Sequence, residues 1–430
     1  MYRTLLAASA FCLVPATAIA QDAQEEATSA SEPVVERIDD LIPAMRGDLP
    51  YADVFADVFR SSVPEAQFLT IFGQLEGQFG SYLGVDSVEA LSPTAARVRF
   101  RFERALVGGN VSVQEAEPHA VTGFLLNDIQ PVDDDADSLL ADIQALPGET
   151  NLLITRLGAD EPLLAHNTDS QMALGSTFKL YVLSALAQSI AAGERSWDDV
   201  VALDQESFPS GMLQDWPEGS PITLHSLATL MISISDNTAT DQLMAELGRE
   251  TVEEEVVATG HSEPSATFPM MFTREMFLLK SGDEADVEAF RAMDEDERRT
   301  ALAALDGVER DLGQMMAAFT GGPNAIDIEW FASAQDIERL FERIVSANDD
   351  TLLGVMGVSP SLNAGAVENW DYVGFKGGSE PGVLNLSWLL RNEAGEWWVV
   401  SMGWNNPEAS LEQSQFDLLS TRAIGLAAGQ

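Results

Sequence analysis

Cysteine is almost missing from this chain: the only one, Cys12, stands inside the apolar run that begins the sequence. Beyond that run the chain can form no disulfide, offers no thiol nucleophile and builds no cysteine metal site. Histidine is nearly as scarce. His119, His166, His225 and His261 are scattered without metal-ligand spacing, which reads as packing or surface use, with no metal and no cofactor implied. Positive charge is the third shortage: 23 Lys and Arg face 69 Asp and Glu, a formal net charge of -46. Such an excess excludes nucleic acid and anionic membrane surfaces as partners, because phosphate binding needs basic patches. It speaks of solubility and habitat, not of fold. Long hydrophobic runs are lacking too, since no stretch of about 18 apolar residues follows the first twenty, and no membrane anchor is expected.

Those first twenty residues have the form of an export signal: Arg3 near the start, an apolar stretch from Leu5 to Val14, then Ala18-Ile19-Ala20 as a small-residue cleavage pattern. The expectation is a soluble protein, periplasmic or secreted, beginning near Gln21, with a charge of -47 once Arg3 is removed from -46. Phe11 before Cys12 spoils a lipidation-type pattern. Residues 21–32, polar, acidic and small, are expected to be a flexible leader.

About 400 residues remain, enough for two domains with separate cores. Residues 33–131 predict a small α+β domain. Its first part, 35–82, is helical, with Phe55, Phe59, Phe68, Ile71 and Phe72 sharing buried faces. Then Ala96, Val98, Phe100 and Phe102 alternate with Arg97, Arg99 and Arg101, the period of a half-buried strand. Further strands are expected at Val111–Glu115 and His119–Leu126. The acidic Asp133-Asp134-Asp135 marks a boundary, and residues 137–430 form the second domain. There we expect a helix at 139–146, a strand at 152–157, a long apolar helix from Ser176 to about Ala192, another from Leu224 to Ile234, and acidic solvated helices over 283–318. Strands at 372–375, 383–390 and 397–404 and a helix over 413–427 complete the chain.

Lysine is the residue to follow. Only Lys179, Lys280 and Lys376 occur, and two of them stand in Ser176-Thr177-Phe178-Lys179 and Lys376-Gly377-Gly378-Ser379. An ammonium loses its proton when desolvated, whereas a guanidinium does not, so a Lys can serve as a base near neutral pH. Ser176 and Lys179, three apart at a helix start, share one face, and a hydroxyl becomes a nucleophile when such a base removes its proton. The free N–H groups and positive dipole of the helix start favour a developing oxyanion. Ser235-Asp236-Asn237 follows behind an apolar helix, and Lys376-Gly377-Gly378 lies on a strand before a Gly-rich turn.

Together the three match the S-x-x-K, S-D-N and K-T-G set of penicillin-recognising serine enzymes. Residues 137–430 therefore resemble serine β-lactamases and penicillin-binding proteins, most closely the class A type, and Gly219–Leu224 and Ser235–Thr240 add to the likeness. The resemblance implies a β-lactamase/transpeptidase-like fold, an antiparallel sheet flanked by helices plus a helical lobe. It implies Ser176 as acylated nucleophile, Lys179 as its base, Ser235 as proton relay and Lys376 as the attractor of a substrate carboxylate. Asn237, Gly377, Gly378 and Ser379 would bind substrate, with the backbone N–H groups of Ser176 and Ser379 as oxyanion hole; Asp236 would be structural. The words Thr273–Phe277, Glu329–Ala332 and Phe375–Pro381 are similar to a two-domain group of bacterial serine hydrolases, one of them encoded with clavulanic-acid biosynthesis. In that group a steroid-isomerase-like (NTF2-like), cone-shaped domain precedes a β-lactamase-like one with weak lactamase and some esterase activity. No acid/base pair in 33–131 supports isomerase chemistry.

Two departures stand out. Gly377 replaces the Thr of K-T-G, and no E-x-x-L-N follows Ser235, so the Glu that activates a deacylating water in class A enzymes is missing. Glu263 and Glu275 are the candidates to replace it. The expected activity is acyl-serine hydrolysis of an ester, lactam or peptide carbonyl with weak lactamase action. The alternatives are a D-alanyl-D-alanine carboxypeptidase-like enzyme and a non-catalytic binder of cell-wall peptides or lactams. Arg97, Arg99 and Arg101, with Arg104, read as a solvated face paired with surplus carboxylates or, more sharply, as a grip on an anionic substrate. Gly377–Gly382 misses the G-x-S-x-G elbow because Pro381 fills its last position. Trp216, Met271 and Trp370 are pocket or core residues.

Overall fold

The computed structural model describes residues 31–132, 134–308 and 311–430. The export signal and nearly all of the leader lie outside the described residues; Ser31 and Glu32, assigned to the leader, instead open the first helix. The chain divides into two compact units. The first takes the N-terminal part through Leu139 together with Leu362–Asn369 and Ser414–Gly429, two segments that sequence reading had placed with the second domain.

In the first unit, helices α1 (Glu32–Met45), α2 (Tyr51–Val54), α3 (Asp57–Ser62) and α4 (Glu65–Phe79) precede a four-stranded antiparallel meander. The strands are β1 (Tyr82–Ser92), β2 (Ala95–Phe102), β3 (Ala105–Val113) and β4 (Val121–Pro131). Every second residue of β2, from Ala96 to Phe102, is buried as its period demands. The core is aromatic: the Phe55 ring stacks on Phe59 at 4.7 Å and meets Phe68 edge-on at 4.8 Å. Opposite Arg97 in the ladder is Glu89, and the two pair at 2.9 Å. Gly108 stands between Arg99 and Asp128 in register, and the missing side chain leaves room for these two to approach to 3.6 Å. From the C-terminal helix Gln413–Ala428, the fully buried Arg422 grips Asp134 at 2.7 and 3.0 Å.

The chain leaves the first unit within α5 (Ala136–Gln144) and enters a unit of sheet and helices. Strands β5 (Glu149–Arg156) and β6 (Leu164–His166) precede the short β7 (Met172–Ala173), a 3-10 turn Gly175–Phe178, and α6 (Lys179–Ala191). Next come β8 (Val200–Ala202), β9 (Pro221–Thr223), α7 (Leu224–Ser233), α8 (Asn237–Leu247), α9 (Arg249–Ala258), α10 (Thr273–Lys280), α11 (Glu284–Ala292), α12 (Glu295–Ala303) and α13 (Leu312–Ala318). The unit ends with β10 (Phe331–Ala332), α14 (Ala334–Ser346), α15 (Asp350–Met356), β11 (Tyr372–Glu380), β12 (Val383–Arg391) and β13 (Trp397–Asn405). Its main sheet runs β11-β12-β13-β5-β6, antiparallel throughout. Helix α6 is apolar on every side because it is buried on nearly every side, from Leu180 to Ala187. Strand β11 runs through Lys376-Gly377-Gly378-Ser379 to Glu380, so the strand expected at 372–375 and the Lys376 strand are one element, and pairing with β12 overrides the low strand propensity of its three glycines.

Candidate active site

The strand pair β7–β10 delivers the chain to Ser176. Leu174 N–H donates to Trp330 O at 2.9 Å, and the Trp330 ring lies flat on Phe178 at 3.7 Å. Asn405 holds the other flank, accepting from Ala173 N–H at 2.8 Å. Gly175 then turns the backbone with φ +51, a region costly for any residue with a Cβ. Ser176 thus sits in a 3-10 turn, not in the α-helix that the sequence predicted to open there, and Lys179 is the first residue of α6. In a 3-10 turn side chains three apart eclipse, so Ser176 and Lys179 remain on one side. Ser176 is half-buried and Lys179 fully buried.

Between α7 and α8 the backbone at Ser235 takes φ +58, which for a serine costs about 1–2 kcal/mol. The turn presents both its carbonyl and its hydroxyl to Lys179, whose Nζ donates to Ser235 O at 2.7 Å, Ser235 Oγ at 3.1 Å and Asn237 Oδ1 at 2.7 Å. Asp236 is structural in this geometry. It caps α8 through Ala239 N–H at 2.9 Å and anchors the loop before it through Met212 and Leu213 N–H at 2.7 and 3.0 Å.

Lys376 completes the cluster from β11, donating to Ser235 Oγ at 3.1 Å and to Gly377 O at 2.6 Å. One hydroxyl therefore touches two buried amines. Burial pulls Lys179 down to about 7, against Asp236 and Asp241. Burial and then the Lys179 charge pull Lys376 well below the usual ammonium range.

The glycines of β11 have distinct duties. A Cβ on Gly378 would stand 2.0 Å from Leu174 O and 2.5 Å from Ser176 N, and one on Gly175 would stand 2.9 Å from Ser379 N. Bare backbone at both positions packs the Ser176 turn against the strand bearing Ser379. At Gly377 a Cβ would come within 2.7 Å of the Phe375 ring, itself packed on Trp388 at 4.8 Å. The space that a threonine would need at that position is filled by Phe375, a residue whose part in the site sequence reasoning missed.

The two candidate bases fare differently. Glu275 caps α10 through Phe272 N–H at 2.8 Å and holds Arg249 with both oxygens at 2.7 and 3.1 Å, so its carboxylate is fully engaged. Glu263 is exposed. His261 is buried and pushed toward its neutral form by burial; its Nε2–H donates to Phe331 O at 2.9 Å, while Nδ1 accepts from Glu263 N–H at 3.1 Å. Among the described residues no group of three or more His, Cys, Asp or Glu could hold a metal ion, and no helix is long and apolar enough to cross a membrane. Sequence reasoning also missed a buried cluster beside the turn: Lys280, Glu329 and Glu380. The scarcity of lysine was the one signal that pointed to it.

The model of the β-lactamase enzyme family matches residues 134–357, which is 224 of 430 and so just over half of the chain. No curated protein matches its sequence. Among solved structures, a β-lactamase from Sphaerobacter thermophilus is 21% identical, covering 69% of this chain and 98% of its own, with a TM-score of 0.46. The putative class A β-lactamase PenP from Rhodopseudomonas palustris is 15% identical over 68% and 98%, with a TM-score of 0.48. PBP-A, a variant of which is solved as an acyl-enzyme complex with penicillin G, is 15% identical over 67% and 93%, with a TM-score of 0.46. The assignment rests on the family model and not on these distant overlaps: the chain belongs to the β-lactamase enzyme family of serine acyl-enzyme hydrolases.

Proposed function

We propose that this protein forms an acyl-enzyme at Ser176 with an ester or a slowly processed lactam, and that it acts after export directed by the signal of residues 1–20. The observation carrying this reading is the Ser235 hydroxyl bridging two buried amines, one of them drawn down to about 7. Neutral Lys179 takes the Ser176 proton as Oγ bonds to the substrate carbonyl carbon. The proton passes through Ser235 Oγ to the leaving oxygen or nitrogen as the carbonyl–leaving-group bond breaks, and water then cleaves the acyl-serine ester. Lys376 attracts a substrate carboxylate. The N–H groups of Ser176 and Ser379 receive the oxyanion, where one donor is worth about 3–4 kcal/mol of barrier.

Slow release of the acyl group follows from the carboxylates. Glu275 is committed to Arg249 and a helix cap, and Glu263 is exposed, so neither is poised to activate water. The same observation favours, as a second reading, a D-alanyl-D-alanine carboxypeptidase-like enzyme that penicillin acylates persistently. Intact-mass measurement after incubation with benzylpenicillin or a cephalosporin ester tests the proposal. The expected result is an adduct of long life on the wild type, or product release from the ester, with neither for Ser176→Ala. An unmodified wild-type mass with intact substrate would overturn it, and muropeptide cleavage would favour the second reading.

A further inference from the structure

The third lysine is the one the proposed chemistry leaves unused. Lys280, at the end of α10, is completely enclosed; its Nζ lies 2.6 Å from Glu380 Oε1 and 3.6 Å from Glu329 Oε1, and both carboxylates are buried as well. Glu380 follows Ser379 in β11, and Glu329 precedes Trp330, whose carbonyl accepts from Leu174 N–H. Glu380 is thus bonded to one of the two residues whose N–H groups are expected to receive an oxyanion, and Glu329 meets the Gly175 N–H next to the other. Burial pushes the Glu329 carboxyl above the usual carboxylate range, against the smaller downward pulls of Lys280 and of the Trp330 and Gly175 N–H groups. Among the described residues Glu329 Oε1 and Glu380 Oε2 have no hydrogen-bond partner. The other charged groups facing the cluster are Asp327, whose carboxylate also feels Lys280, and Arg291 of α11, which pairs with Asp327 at 2.6 Å.

One ammonium cannot neutralise two ionised carboxylates enclosed together, and an unbalanced buried charge is expelled by protonation. We propose that Lys280, Glu329 and Glu380 share one proton between the two acids and so form an electroneutral positioning triad behind the oxyanion hole. Negative charge developing on a bound carbonyl oxygen then meets no fixed anion. Ionisation of the second acid would add a net negative charge there and slow acylation. Burial, and the Glu329 charge beside it, push the Glu380 carboxyl up against the pull of Lys280, so the shared proton is held into neutral pH and lost on the alkaline side. The role rests on the acyl-Ser176 reading; the shared proton does not.

The test has two arms, both on the full chain. Infrared difference spectra between acidic and alkaline pH should show a protonated carboxyl band that persists through neutral pH and disappears in Glu380→Gln; no such band at neutral pH overturns the shared proton. Benzylpenicillin titrations then separate the acylation rate constant from the saturation constant. In the wild type the rate constant should fall on the alkaline side, approaching about tenfold per pH unit, with the saturation constant unchanged, and Glu380→Gln should stay flat. An alkaline fall that survives in Glu380→Gln overturns the role, as does a fall confined to the saturation constant, which points to Lys376 losing its charge. Glu329→Gln, with the same flattening expected, replaces Glu380→Gln if the latter does not fold. If Ser176 is never acylated, the acyl-enzyme reading and the triad's role fall together, while the carboxyl band still decides whether the proton is shared.

Discussion

Each unit buries charge, and Arg422 of the first contrasts with Lys179 and Lys376 of the second. In the first, Arg422 is enclosed but meets Asp134 with two hydrogen bonds and Ser138 Oγ with a third at 3.1 Å, so its charge is matched by a carboxylate. In the second, Lys179 and Lys376 are just as enclosed, and among the described residues their amines touch only hydroxyl, carbonyl and amide oxygens. A paired buried charge stays charged and holds structure. Burial without a carboxylate in contact draws Lys179 down to about 7, which is the property a base needs.

The sharpest way to break this comparison is to remove the unpaired amine. Lys179→Met should lower the rate of Ser176 acylation by about 10²–10⁴-fold. In the wild type the same rate should rise as pH increases through about 7, since the neutral amine is the active form. Stability carries a second signature. Because Lys179 is lowered from 10.5 to about 7 in the folded state, the unfolded chain binds more protons between those values, and stability rises with pH across that window. Denaturant titrations should find that slope reduced in Lys179→Met; an identical slope would mean that the amine is charged when folded.

The paired charge should behave in the reverse manner. Arg422→Met strands Asp134 in the interior and should cost about 3–5 kcal/mol in urea unfolding, while Arg422→Met with Asp134→Leu should recover most of that loss. A single variant as stable as wild type would show that the pair is not closed in solution.

The cluster of Ser176, Lys179, Ser235, Asn237 and Lys376 was legible in the sequence because its patterns are local. Ser176 with Lys179, and Ser235 with Asn237, are short-range patterns whose helix starts announce them, and β11 carries Lys376 beside glycines that only close backbone approach requires. The triad of Lys280, Glu329 and Glu380 was illegible for the opposite reason. Its members lie far apart in the chain, and in so acidic a sequence each Glu alone reads as solvated. Phe375 in the space of the missing threonine, and the association of Leu362–Asn369 and Ser414–Gly429 with the first unit, likewise depend on long-range packing that no local period encodes. The 3-10 turn at Ser176 escaped because its cause, Gly175 at positive φ against β11, is tertiary.

The smallest expected effect concerns the arginines of β2. Arg97 pairs with Glu89 and Arg99 with Asp128, both on the partly exposed surface of the first unit's own sheet. Pairs of this kind contribute about 0.2–1 kcal/mol each and are screened by salt. Replacing Arg97, Arg99 and Arg101 together by Gln should therefore lower stability by only about 1–2 kcal/mol at low ionic strength and less at high salt. The concentration of benzylpenicillin giving half-maximal acylation should not change. A rise in that concentration, larger at low salt, would show that these side chains hold an anionic substrate, and the contrast between a structural first unit and a chemical second one would no longer stand.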